Sequence, residues 1–598
     1  MKQIECDVVL IDSGVSSQSY EAYRSNIIGY RSFCTDDNDY EDISGHGTAI
    51  FSRIISSDAT IFIIKIFNEI LEVDEDLLVF ALNYVNEHIK CKVINMSLGI
   101  TQCVNIKNLR DICFELTQKG ILIISAFDNS GAISYPAAFP FVIGVDNCVE
   151  CVNKDEYIIV YNSAIDIKGF GGLQRVSWHK NVPFSFVSGS SFATANITKL
   201  ILDYLLYNQL KTITVEEAKT ALLTNSKKTI QHKARKIIAY PTIKKAIAFP
   251  LNKELTSLIN YRELLTFELK NIYDFRVSGN VNKTICSIYG DKEYRVLDIE
   301  KIVWDNQFDT VIISHVRELE RLLKKDILND FISLCLEHNK QVFCFDVINS
   351  IESIRNVKND MVFHTPYIDN KYLINNNGKL AMINAPVLGV FGTSSHQGKY
   401  TLQLFLRKRF LNSGYKIAQM GTEPSGFMFG MDKVFPMGYN SSVNMNFRET
   451  ICYINQEMQD MDSNKPDIIL IGSQSNTTLY YPGNISQYPT SQLELLYGTM
   501  PDAVVLCVNI HDDCEYIEKT VCNIESIGYA KVIAFGLYPM DKKNDYIMSR
   551  RKPASMELLE SKINNLKKRY NVPVFVIGNE EQMGELFNYS VDWFSREV

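Results

Sequence analysis

The chain has 598 residues, 46% hydrophobic and 22% charged, with a formal net charge of −8. That length calls for three to four domains, and that balance is the one of a folded soluble protein. The negative charge argues against a nucleic-acid binder, which needs a basic face for phosphates; the one basic stretch, KKTIQHKARK (227–236), reads as a solvated linker.

In chain order, CDVVLID, TIFIIKIF, KVINMSLG, GILIISAF and FVIGV read as buried parallel strands. Helical stretches lie between them, among them DEDLLVFALNYVNEHI and NLRDICFELTQKG. Such alternation predicts a parallel sheet covered on both faces. SFATANITKLILDYLLYNQL reads as a helix, and TVEEAKTALLTNSKK as another, opened by Thr214 with Glu217 three residues on. The proline-punctuated AYPTIKKAIAFPLN (239–252) reads as a boundary. A second alternation follows, with strands EYRVLDI, DTVIIS and QVFCFDVI and a helical HVRELERLLKKDILNDFISLCLEHN. After a turn at NNNGK (375–379) comes a third, from APVLGVFG to VPVFVIG. The expected organisation is α/β throughout: domains over 1–240, 255–378 and 379–598, with a linker over 241–254.

The fourteen cysteines hold a single CxxC, Cys148 and Cys151, with no second pair to complete a zinc site, so no metal site is expected. Cys344 and Cys507 sit in apolar runs and read as buried thiols of a reducing cytoplasm. MKQIECDVVLID has no basic region and apolar stretch of a signal peptide, and no run reaches the ~18 apolar residues of a membrane span. A cytoplasmic location is expected, without membrane contact.

Three motifs stand in a telling order. VLIDSG places Asp12 at a strand end, SGHGT places His46 between glycines, and SGSSFATA places Ser191 at a helix start. A serine hydroxyl is a poor nucleophile until a base takes its proton; histidine serves near neutral pH, and a carboxylate fixes its tautomer. Asp, His, Ser is one of the chain orders in which this trio occurs. Here the chain resembles the subtilisin-like serine peptidases over residues 4–230, also in INMSLG (94–99) and DNSGAISYPAAFPFVIGV. The resemblance implies a subtilisin-like parallel-sheet domain, and it implies that Asn129, in DNSG, is the amide donor to the oxyanion. Secreted relatives carry a signal and a pro-domain; with the acid at Asp12 neither is expected. Narrow specificity for one peptide, or gating by the attached domains, is expected instead.

GVFGTSSHQGKYT follows a predicted strand and opens a predicted helix, the setting of a phosphate loop. Gly392, Thr393, Ser394, Ser395, His396, Gln397, Gly398, Lys399, Tyr400 and Thr401 are its candidate residues. Backbone N–H groups would meet phosphate oxygens and Lys399 would add a charge. With GYKIAQMGTEPSG, PDIILIGSQS and YGTMPDAVVLC downstream, residues 255–598 resemble the P-loop proteins related to D-glutamate N-acetyltransferases and dethiobiotin synthetases. The resemblance implies a Rossmann-like middle domain and a P-loop α/β domain after it. In the nucleotide-using relatives a Thr after the Lys and a Glu after the second strand hold magnesium; here Tyr400 and Gly472 stand there. A phosphate-bearing acyl donor such as acetyl-CoA or another acyl-CoA is implied, with ATP or GTP as the alternative. Glu423 and Gln474 are candidate polar groups beside the loop.

Together these imply an enzyme that cleaves a precursor peptide and N-acylates the product, in bacteriocin-type peptide maturation, beside other maturation enzymes and in a homo-oligomer. The alternatives are a nucleotide-gated peptidase and a peptide-binding scaffold with an inactive peptidase.

Overall fold

A computed structural model describes residues 3–34, 39–56, 58–69, 71, 74–130, 132–160, 163–179, 181–228, 242–286, 293–348, 363–373, 379–437, 441–483, 488–527, 530–541 and 552–596. The chain forms two compact units, Met1–Ala234 with Ile374–Ala381, and Arg235–Leu373 with Met382–Val598. The middle and C-terminal sheets, expected as separate domains, thus belong to one unit. Most of the basic stretch 227–236 and of the turn 375–379 lies outside the described residues.

The first unit is built on eight strands: β1 (Val8–Asp12), β2 (Ile27–Ser32), β3 (Ile61–Lys65), β4 (Val93–Met96), β5 (Leu122–Ala126), β6 (Ile143–Asn147), β7 (Tyr157–Ile159) and β8 (Ile167–Gly169). Their order is β2-β3-β1-β4-β5-β6-β8-β7, and only the last pair is antiparallel. Every residue of β1, β3 and β5 is buried, as a sheet covered on both faces requires. Successive side chains point to opposite faces. Val8 and Leu10 pack with Phe51 and Ile197, from α1 (His46–Ile54) and α4 (Ser190–Tyr207). Val9 and Ile11 pack with Leu82 and Leu116, from α2 (Glu75–His88) and α3 (Ile106–Gln118). By the same parity Asp12 lies on the side of α1 and α4. Helix α5 (Val215–Leu223) opens on the capping box read from Thr214 and Glu217.

In the second unit, β9 (Lys245–Phe249), β10 (Glu268–Asp274), β11 (Leu297–Asp298), β12 (Thr310–Ile313), β13 (Gln341–Cys344) and β14 (Phe363–His364) form a sheet of order β11-β10-β9-β12-β13-β14. All its pairs are parallel. The expected linker 241–254 is corrected: it holds the central strand β9 and the start of α6 (Lys253–Asn260). Pro250 stands just beyond the strand, where it removes no ladder donor. The helical stretch after β12 is two helices, α7 (Arg317–Leu323) and α8 (Ile327–Glu337), because Lys324 turns left-handed at φ 52 and Asp326 caps the second.

The other sheet of this unit has β15 (Val387–Gly392), β16 (Ile417–Gly421), β17 (Lys433–Val434), β18 (Ile468–Gly472), β19 (Ala503–Asn509), β20 (Lys531–Tyr538) and β21 (Val574–Val576). Its order is β17-β16-β18-β15-β19-β20-β21, all parallel, with helix α9 (Lys399–Asn412) following β15. No helix among the described residues is long and apolar enough to cross a membrane.

Candidate active site

In the first unit Asp12, His46 and Ser191 come from the end of β1 and the starts of α1 and α4. His46 Nδ1 lies 2.8 Å from Asp12 Oδ1. The Ser13 N–H donates to the same oxygen at 2.8 Å, and Asp12 Oδ2 is buried with no hydrogen-bond partner among the described residues. Burial works against the charged imidazole, but the Asp12 carboxylate beside it, with help from Asp42, raises the His46 pKa above the ordinary histidine value.

Helix α1 holds His46 rigidly because its exposed first-turn donors are all met by side chains. The N–H groups of His46, Gly47 and Thr48 donate to Ser44 Oγ (3.2 Å), Ser13 Oγ (2.8 Å) and Asp42 Oδ2 (2.7 Å). Asp42 Oδ1 also accepts from the Gly45 N–H at 2.8 Å. Gly45 has φ 90, and a Cβ there would come within 2.4 Å of Trp178, so the position admits only glycine. The sequence reading missed Asp42 and Ser13; a buried carboxylate four residues before His46 has no recognisable spacing of its own.

Ser191 lies in the first turn of α4, and its Oγ donates to the Ser97 carbonyl at 2.8 Å. Among the described residues it makes no hydrogen bond to His46. Ser97 Oγ in turn donates to the Ser191 carbonyl at 3.0 Å, so the strand that ends in INMSLG is tied to the helix start. Asn129 sits beside this turn. Its Oδ1 accepts from Ser190 N (2.8 Å) and Ser190 Oγ (3.0 Å). The Asp128 carboxylate accepts from the Ser130 N–H at 2.8 Å and from the Ser130 hydroxyl, and these bonds hold its pKa low.

The second unit holds a cleft of about 950 Å3 at the C-terminal edge of β15. Seven of the ten loop candidates line it: Ser395, His396, Gln397, Gly398, Lys399, Tyr400 and Thr401. Glu423 and Gln474 line it too. Gly392, Thr393 and Ser394 do not. Thr393 is buried and donates to the Asp512 carboxylate. Gln397 braces the loop from within: its Oε1 accepts from Ser394 N at 2.9 Å and its Nε2 donates to Thr393 Oγ1 at 2.5 Å. Lys399 Nζ donates to the carbonyls of Ser394 (2.6 Å) and Ser475 (3.1 Å), which places its charge over the loop.

The two positions that would hold magnesium are filled otherwise. The Tyr400 ring turns inward, its hydroxyl 2.8 Å from Ser425 Oγ, and burial raises its pKa. At Gly472 a Cβ would meet Gln403 Oε1 at 1.7 Å. A hard cation wants carboxylate and hydroxyl oxygens; the inward-turned Tyr400 and the side-chain-free Gly472 present neither at these two positions. No group of three metal-ligating side chains occurs among the described residues.

The cleft also brings in residues the sequence reading passed over, Glu254 and His315. His315 Nδ1 lies 2.8 Å from Asp346 Oδ1, and Nε2 lies 3.6 Å from Glu254 Oε1. Burial opposes its charge, yet hydrogen bonding to Asp346 and Glu254 prevails and lifts its pKa to about 9. Their signal was position: each follows closely on the end of a middle-sheet strand, in FPLNKE, IISH and FCFD.

Comparison with known proteins finds two families, one at each end of the chain. Residues 7–240 match the model of the subtilase family. Residues 375–583 match that of a P-loop domain described as a domain of unknown function, DUF1611. The chain therefore carries an N-terminal subtilase domain, which is a serine peptidase domain, and a C-terminal P-loop domain. Similar solved structures include a cold adapted subtilisin-like serine proteinase, 21% identical over 37% of this chain and 81% of that one, TM-score 0.32. Another is a DUF1611 family protein from Anabaena variabilis, 12% identical over 58% of this chain and 99% of that one, TM-score 0.43. No curated protein matches the chain.

Proposed function

We propose that the chain is a cytoplasmic endopeptidase that cleaves one precursor peptide through an acyl-enzyme on Ser191. The observation that carries this reading is the 2.8 Å contact of His46 Nδ1 with a buried Asp12, on the side of the sheet where α4 presents Ser191. Asp12 fixes the tautomer that leaves His46 Nε2 as the base. Ser191 Oγ exchanges its bond to Ser97 for one to Nε2, loses its proton there, and attacks the peptide carbonyl. His46 then returns that proton to the leaving amine, and water repeats the sequence to release the acid. Asn129 serves as oxyanion donor. Its Oδ1 is held by Ser190, which orients Nδ2 as the free donor end, and the Asp128 charge is turned onto its own loop.

The P-loop cleft binds a phosphate-bearing acyl donor such as acetyl-CoA, without magnesium, and the newly exposed amine is acylated: an N–C bond forms, the thioester C–S bond breaks, and the amine proton passes to the leaving thiolate or to solvent. The filled magnesium positions at Tyr400 and Gly472 support this reading over nucleotide gating. This is the chemistry of a peptide-maturation system.

Fluorophosphonate labelling of the full chain tests the peptidase: labelling that Ser191→Ala abolishes is expected, and a folded protein that does not label removes the claim. Thermal-shift titration tests the cleft. Stabilisation by acetyl-CoA is expected; stabilisation by ATP–Mg alone would favour the gated peptidase.

A further inference from the structure

The middle sheet has the order 3-2-1-4-5-6, so its strand order reverses between β9 and β12. In open parallel sheets the crevice outside the carboxyl ends at that reversal is where ligands bind. Glu254 follows β9, His315 follows β12 and Asp346 follows β13. Glu254 and His315 reach the same cleft as the phosphate loop, although the loop belongs to the other sheet of the unit.

The wall they form is acidic and rich in acceptors. Glu254 and Glu423 supply two carboxylates to the lining, and His315, bonded to Asp346 outside it, is the cation beside Glu254. Two further lining groups are buried and have no hydrogen-bond partner among the described residues: Gln492 Oε1, on a side chain 3% exposed, and Ser473 Oγ, 0% exposed. A buried acceptor left unmet is costly, about 1–3 kcal/mol, and a ligand carrying N–H donors would meet it. The Glu254 carboxylate is also fixed: Oε2 accepts from the Ser425 N–H at 3.4 Å, and Oε1 faces His315 Nε2 at 3.6 Å.

We propose that this wall is a second half-site which takes a protonated amine on Glu254, with His315, itself held by Asp346, as the residue that positions that carboxylate. The proposal rests on the reading of the cleft as a two-ligand site and names the group its second ligand presents. The loop then holds the phosphate end of one ligand and the switch-point wall holds the amine of the other.

The test uses the full chain carrying Ser191→Ala, so that probes stay intact. Binding of a tripeptide amide with a free N-terminal amine is measured by calorimetry beside its N-acetylated twin. The free amine is expected to bind, and the acetylated twin at least tenfold more weakly. Glu254→Gln is expected to lower affinity for the free amine about tenfold or more, the loss of one charge-assisted hydrogen bond. His315→Asn is expected to erase the preference between the two peptides while leaving the thermal shift with CoA unchanged, which a merely structural role would not do. Equal binding of the two peptides, or wild-type affinity in Glu254→Gln, overturns the proposal. Amine binding without any CoA shift supports the half-site and removes the acyl-CoA reading instead.

Discussion

The Gln403 amide occupies the space that a side chain at position 472 would need: a Cβ on Gly472 would lie 1.7 Å from Gln403 Oε1. Both amide atoms of Gln403 are buried and have no hydrogen-bond partner among the described residues. One helical turn beyond Lys399, this side chain closes the place where a carboxylate would reach a cation. Gly472→Ala is expected to destabilise the second unit by about 1–3 kcal/mol through overpacking. Adding Gln403→Ala should recover much of that loss, a coupling that a double-mutant cycle in denaturant melts would measure. Additive effects would show that the two residues do not compete for one space.

His46 is expected to set the pH dependence of peptide cleavage. The base must be neutral, and its pKa lies above the ordinary 6.5. Turnover should therefore rise with pH through a midpoint above that value. Because the folded pKa is raised, the stabilisation it reports is fully present below the unfolded value and is lost as pH rises through the folded one. Asp12→Asn should move the kinetic midpoint down and cut kcat roughly 10^4-fold. An unmoved midpoint would dissociate Asp12 from His46.

Asn129 can be separated into its structural and chemical halves. Asn129→Asp keeps an acceptor for Ser190 N but replaces the donor with a charge; Asn129→Ala removes both. Each is expected to lower kcat about 100- to 1000-fold with KM little changed, and the melting temperature should fall more in the alanine variant. Full activity in either variant would take the oxyanion role from Asn129.

Lys379 is buried in the first unit and donates to the carbonyls of Ala137 (3.1 Å) and Val142 (2.8 Å) and to Asp166 Oδ2 (2.5 Å). Asp166 also receives the Gly144 N–H at 2.9 Å and Lys219 Nζ at 3.4 Å. Lys379→Met should destabilise this unit by about 3 kcal/mol or more, because it leaves a buried carboxylate short of a partner. Differential scanning calorimetry of the full chain would resolve the transition that moves. An unchanged transition would make the contact incidental.

The sequence by itself determined the three parallel alternations, the capping box at Thr214, and the strand end and helix starts that carry Asp12, His46 and Ser191, because each is written in local period or in a motif at an element's end. It also read Gly392 to Thr401 as a loop between a strand and a helix, and the fold brings Ser395 to Thr401 of it to the cleft. The sequence misled at 241–254, where prolines near a central strand looked like a linker, and in one helix that Lys324 and Asp326 divide. Four relationships were decided only by the tertiary structure. Asp42 supports α1, Gln397 fills the loop, Gln403 excludes a side chain at 472, and Lys379 anchors in the peptidase domain across more than 200 residues of chain. The reason is physical: local pattern dictates which element forms and which face it buries, whereas a polar group far along the chain finds its partner only once packing has removed water from both.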